Sequence, residues 1–207
     1  LEIRGAGELL GEAQSGEIDE VGFALYAELL ERAVRSLKRG ESPPAEPEAR
    51  GTEINLHAPA LFPEHYLPDV HLRLVLYKRI ASAESPAAVA ALQEEVVDRF
   101  GALPEAGRLL FKAAELKVRA GPLGIRRLDA GAKGIRVEFV EKPPIEPGAV
   151  LRLLHAAPRR YRLDGPNRIR ILGDFPEPEQ RVRAAHEFLD ALEAEAAVAP
   201  AERRVHP

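Results

Sequence analysis

The sequence predicts an α+β fold, and three observations carry that assignment. Two glycine-bearing turns, Gly131-Ala132-Lys133-Gly134 and Asp164-Gly165-Pro166-Asn167, each sit between short runs in which apolar and polar residues alternate. Segments with the 3.6-residue apolar period of amphipathic helices fall before, between and after these hairpins. The resulting order is strand, helices, hairpin, helix, hairpin, helix. It favours a small antiparallel sheet built from hairpins in a helix-rich domain.

The elements follow in chain order. Leu1 to Gly16 crowds glycines at 5, 7, 11 and 16 around Arg4 and Gln14. Glycine there allows positive φ and close backbone approach, while Arg4 and Gln14 are long multidentate groups able to grip a phosphate or a neighbouring loop. The spacing Gly5-Ala6-Gly7 to Gly11 is G-x-G-x-x-x-G with almost nothing before it, which does not fit a dinucleotide-binding turn. Glu17 to Arg39 reads as one amphipathic helix on Val21, Leu25, Leu29, Ala33 and Leu37, stopped by Gly40. The next stretch, up to Gly51, holds Pro43, Pro44 and Pro47 with Glu41, Glu46 and Glu48 and no large apolar side chain. Such a composition stiffens the chain and cannot anchor a core, so it is a linker. The expected organisation is a helical piece at 1–39, a linker at 40–51 and a domain at 52–207.

That domain opens with the alternating strand pattern Thr52 to His57. Asp69 to Ser82 is a helix carrying Val70, Leu72, Leu74, Val75, Leu76 and Ile80, apolar enough to be expected largely buried. Ser85 caps the next helix with Pro86 at its first position, and Gly101 closes it. On that helix Val89, Leu92, Val96 and Phe100 form a core stripe, leaving Glu95, Asp98 and Arg99 on another face. Glu105 to Ala120 is a third helix. The first hairpin pairs Arg127 to Ala130 with Ile135 to Phe139, a helix spans Pro147 to Ala157, and the second hairpin runs from Arg160 to Leu172. A three-residue loop, Gly165 to Asn167, sets the register of the second hairpin. It opposes Tyr161 to Ile171, Arg162 to Arg170 and Leu163 to Ile169, and asks Asn167 to adopt the left-handed conformation. Glu177 to Ala196 is the last helix.

Composition narrows the function. The chain has 207 residues and a net charge of −4, so it is not a basic nucleic-acid domain as a whole. Cysteine is absent, which excludes disulfides, thiolate nucleophiles and thiolate metal sites, and is compatible with the cytoplasm, where the protein is expected to reside. No apolar run is long enough for a membrane span, so no membrane partner is expected. The histidines at 57, 65, 71, 155, 186 and 206 show no H-x-x-x-H or H-E-x-x-H spacing, and no G-x-x-x-x-G-K-[ST] loop occurs. No metal site, no catalytic residue and no cofactor is therefore assigned to this chain, which is not expected to be an enzyme on its own. Methionine is missing even at position 1, and the expectation is a chain that starts inside a longer gene product. A local basic patch remains: Arg160, Arg162, Arg168 and Arg170 give the second hairpin a face suited to nucleic acid or to an acidic partner. An autonomous nucleic-acid-binding module is the alternative this patch supports.

Several stretches resemble known proteins. Leu1 to Gly16 looks like the translocation motif of the RecG and Mfd DNA translocases. Leu67 to Ser82, Glu95-Val96-Val97-Asp98-Arg99-Phe100-Gly101 and Tyr161-Arg162-Leu163-Asp164-Gly165-Pro166 are similar, in order and spacing, to the C-terminal domain of the bacterial transcription-repair coupling factor family. RecG shares only the opening motif. The resemblance implies that Arg4 and Gln14 couple the motif to an ATP-driven motor lying outside this chain, where ATP and Mg²⁺ would be held. It also implies that the second domain is a clamp. In this family that domain packs on a UvrB-like N-terminal module of the same protein and masks the surface that recruits UvrA, until the motor engages RNA polymerase on duplex DNA. Part of that contact is implied for Glu95, Asp98 and Arg99.

Overall fold

A computed structural model of the protein describes residues 51–197. The chain divides into two units at Glu46/Pro47, and the described residues all belong to the second. The glycine-rich opening with Arg4 and Gln14, the helix expected at 17–39 and nearly all of the linker lie outside them.

Strand β1 is Glu53–Asn55, followed by helices α1 (Val70–Ala81), α2 (Pro86–Phe100) and α3 (Glu105–Ala120). A single 3₁₀ turn then leads into the hairpin β2 (Ile125–Gly131) and β3 (Gly134–Phe139), helix α4 (Pro147–Ala156), hairpin β4 (Tyr161–Leu163) and β5 (Arg168–Ile171), and helix α5 (Pro178–Ala197). The fold is α+β. The strands form one five-stranded sheet in the order β1-β2-β3-β5-β4. The sheet corrects the expectation of a purely antiparallel one: β1 lies parallel to β2, and the other pairs are antiparallel. Three helices separate β1 from β2, and a parallel neighbour requires such a long crossover.

Alternation along the strands divides the sheet into two faces. Ile54, Leu128, Ala130, Ile135, Val137, Phe139, Ile169, Ile171 and Tyr161 point to one side and are buried. There they meet Leu109 and Leu116 of α3, Leu153 of α4 and Val182, Phe188, Leu189 and Leu192 of α5 in one core. α1 and α2 pack outside this layer, chiefly on α3 and on each other. For that reason α1 is not largely buried as its composition suggests. Only Leu76 and Ile80 are covered, while Val70 and Val75 remain exposed.

Local sequence explains the boundaries. Asp69 accepts from the Leu72 amide at 3.1 Å and caps α1, and Ser85 accepts from the Ala88 amide at the same distance and caps α2. Gly101 ends α2 at φ 85°, a conformation natural only for glycine. In the second hairpin the register is Tyr161–Ile171, Arg162–Arg170, Leu163–Ile169, as the loop length requires. The positive φ falls on Gly165 (114°) and not on Asn167. Asn167 instead donates through its amide nitrogen to the Phe139 carbonyl at 3.0 Å, tying the turn to β3.

A buried arginine joins the two ends of the domain. Arg181, near the start of α5, donates from Nε to the Phe175 carbonyl and from Nη1 to the carbonyls of Leu56 and His57, at 2.9–3.0 Å. Its position in the sequence gave no signal of this, because its partners are backbone oxygens up to 125 residues away.

Candidate functional site on the exposed charged faces

Two exposed surfaces concentrate charge. The first lies on α1 and α2. Val89, Leu92 and Val96 anchor α2 in the domain and Phe100 is half-buried, so Asp98 and Arg99 face outward and Glu95 sits at the edge of contact with α1. Glu95 is not a free carboxylate. Arg79 of α1 grips it with two parallel bonds, Nη1 to Oε1 at 2.7 Å and Nη2 to Oε2 at 2.6 Å. Arg99, one turn further along α2, approaches the same carboxylate at 3.5 Å and lies over the Phe100 ring, 5.2 Å from its centroid. The Arg79 hydrogen bonds, aided by the nearby positive charges, hold the Glu95 carboxyl below the ordinary carboxylate range. Sequence spacing reveals the Glu95–Arg99 pair, because i and i+4 are helix neighbours. It does not reveal Arg79, which comes from another helix sixteen residues earlier.

The second surface is the outer face of the sheet, which no helix of the described residues covers. Its side chains form two cross-strand rows. One reads Glu53, Arg127, Glu138, Arg168 from β1 to β5, with alternating sign. The other reads Asn55, Asp129, Arg136, Arg170, Arg162 from β1 to β4. Along β2 the alternation slips between Ile125 and Arg127, a bulge that places Arg126 on the outer face too. There Arg126 pairs with Glu138, and His57 contacts Asp129. A depression of about 160 Å³ lies between Arg127, Asp129, Arg136, Glu138 and Arg168.

The arginines singled out in the sequence separate on this surface. Arg160 leaves the row: it pairs with Glu187 of α5 and lies 5.7 Å from the Tyr161 ring centroid. Arg168 folds back and donates from Nε to the Asp164 carbonyl at 2.9 Å. Arg162 and Arg170 stay on the open face, joined there by Arg136, which sequence reasoning missed because β3 reaches β5 only in three dimensions.

Elsewhere on the domain, Arg119 of α3 binds Asp190 and Glu193 of α5 at 2.6 and 2.9 Å and donates to His186 Nδ1 at 2.9 Å. Burial, with Arg119 close by, pushes the His186 pKa down. A groove of about 490 Å³ between α1, α3 and the start of β2 is lined mostly by apolar groups such as Ile80, Ala114, Val118 and Pro122, with Glu84 its single carboxylate. Among the described residues no three His, Asp or Glu side chains gather as a cation site, and no helix is long and apolar enough to cross a membrane.

Charged faces carried on a helix pair and on an open sheet, around an apolar core, define an α+β domain whose distinctive chemistry lies on its surface. Residues 56–150 match the TRCF domain family. The transcription-repair-coupling factor of Escherichia coli K12 is 45% identical over 197 residues, 95% of this chain and 17% of that protein. The corresponding protein of Haemophilus influenzae is 43% identical over 195 residues, 94% of this chain and 17% of its own length. A crystal structure of the C-terminal domain of transcription-repair coupling factor shares the fold, with a TM-score of 0.60 and 18% identity over 70% of this chain and 94% of that one. The chain belongs to the transcription-repair coupling factor family, and it spans about a sixth of the length of these curated relatives.

Proposed function

We propose that this chain is the regulatory clamp and motor-coupling part of an ATP-dependent DNA translocase that links transcription to nucleotide excision repair. In this reading the domain described above docks on a UvrB-like module of the parent protein and covers the surface that recruits UvrA. Release follows when the motor engages RNA polymerase on duplex DNA. Arg4 and Gln14 transmit motor movement. ATP and Mg²⁺ belong to parts of the parent outside this chain, which carries no G-x-x-x-x-G-K-[ST] loop. The chain itself catalyses nothing.

The observation that best supports a clamp is the outward presentation of Asp98 and Arg99 on α2, beside a Glu95 braced by Arg79. Around Glu95, Asp98 and Arg99 the face is polar, with Glu95 held in place by Arg79. That polarity suits a latch, because a modest polar interface can be exchanged for a competing one at low cost.

Asp98 gives the cleanest test, because no hydrogen bond or ion pair within the described domain uses it, whereas a change at Glu95 also removes the Arg79 grip. Asp98→Lys in the parent protein is expected to weaken the latch and raise UvrA affinity several-fold in a pull-down or surface-binding titration. Unchanged UvrA affinity would remove this helix from the clamp.

A further inference from the structure

We propose that the Arg136–Arg170–Arg162 row on the open sheet face is a docking surface for an acidic polypeptide segment. The surface is separate from the α1–α2 face and does not depend on the clamp reading. The register sets Arg136 opposite Arg170 and Arg170 opposite Arg162 on three adjacent strands. Neighbouring strands lie about 4.8 Å apart, so three guanidinium groups share a span of about 10 Å. Like charges directly opposite one another in a sheet are destabilising. Ordinary solvation of a sheet face does not call for this arrangement.

The carboxylates that could neutralise the row are engaged elsewhere. Glu138 is held by Arg126, Glu53 lies 3.6 Å from Arg127, Asp129 contacts His57, and Glu187 takes Arg160. Among the described residues only Asp164 forms an ion pair with the row, 3.7 Å from Arg136. Arg162 and Arg170 have no ion pair or hydrogen bond from their side chains within that set. Their forks are thus available for the bidentate bonds that arginine makes with carboxylates.

The rest of the face favours carboxylates on a polypeptide over phosphates on a nucleic acid. Among the described strand residues no Phe or Tyr lies on this side of the sheet to stack on a base. The adjacent row alternates in sign, and Asp129 and Glu138 border the arginines, so a continuous polyanion laid across the sheet meets repulsion. An acidic segment laid on the arginine row supplies the carboxylates that the row lacks.

The test uses the whole 207-residue chain, a labelled oligo-glutamate peptide and a labelled DNA of matched charge, followed by fluorescence anisotropy at low and moderate salt. The double variant Arg162→Gln/Arg170→Gln is expected to lose about tenfold in peptide affinity, the scale of losing one or two charge-assisted bonds. A control variant, Lys78→Gln/Arg183→Gln, removes the same charge from exposed helix positions and is expected to bind like the parent chain. Circular dichroism and melting confirm that both variants fold. Three results would each overturn the proposal: no peptide binding by the parent chain, equal loss in the two double variants, or tighter binding of DNA than peptide that depends on the row.

Discussion

The α1–α2 face and the open sheet face both carry arginines and treat them in opposite ways. On α1–α2 the cations Arg79 and Arg99 converge on one carboxylate, so the charges there are largely self-paired. On the sheet, Arg136, Arg170 and Arg162 stand side by side, and among the described residues Asp164 is the one acid that forms an ion pair with them. The difference teaches how two interaction surfaces on one small domain can be tuned separately. A self-paired face releases its partner readily, because its charges already have neighbours to return to. A row in which Arg170 and Arg162 lack partners among the described residues retains repulsion that a docked anion relieves.

The most severe way to break this comparison is to dismantle the sheet register. Gly134 turns β2 into β3 at φ 133°, and an added Cβ would sit 2.9 Å from the Ile171 carbonyl oxygen. Gly134→Ala is therefore expected to cost about 1–3 kcal/mol in chemical denaturation, the scale of one residue forced into a disfavoured conformation. It is also expected to disturb the alignment of Arg136 with Arg170. A stability equal to that of the parent chain would mean that the turn tolerates a side chain and that the register is softer than described.

A smaller effect separates the faces by pH. The lowered pKa of Glu95 means that its pairing stabilises the fold above the ordinary carboxylate pKa. That contribution is lost as pH falls through the lowered folded-state value. Arg79→Ala is expected to move the Glu95 carboxyl, followed by NMR, back toward its ordinary range, with Arg99 preventing full recovery. The arginine row has no such acid response of its own, since guanidinium stays charged. An unmoved Glu95 titration in the variant would show that the α1–α2 grip does not persist in solution.

The smallest effect has the opposite sign. Arg170→Gln is expected to raise stability by a few tenths of a kcal/mol at low ionic strength, by removing the middle charge of the row. The gain should fade in salt, because exposed charges are screened over a Debye length of about 10 Å at 0.1 M. A loss of stability would indicate that Arg170 is already paired in solution.

Much of this contrast could be read in the sequence, and the unread part has a common cause. α2 was legible from end to end, since Ser85, Pro86 and Gly101 are local signals and Val89, Leu92 and Val96 mark its inner stripe. The β4–β5 register followed from loop length alone. The burial of α1 did not follow, because apolar content says nothing about whether a helix lies beside the sheet or on the flank of other helices. Nor did the parallel pairing of β1 with β2, the Arg79 fork, the place of Arg136 in the row or the Arg181 anchor. Each depends on segments brought together across the chain, and periodicity describes one element at a time. The candidate residues divided in the same way. Arg160 and Arg168 looked equivalent to Arg162 and Arg170 until Glu187 and the Asp164 carbonyl were seen to claim them.

The central claim, that the α2 face is the breakable clamp, is tested most directly by titrating this chain with the UvrB-like module of its parent protein. Parallel titrations use Asp98→Lys and Arg162→Gln/Arg170→Gln. The account predicts saturable binding that Asp98→Lys weakens at least several-fold and that the sheet variant leaves unchanged. Binding that survives Asp98→Lys intact, or that is lost only in the sheet variant, would contradict it.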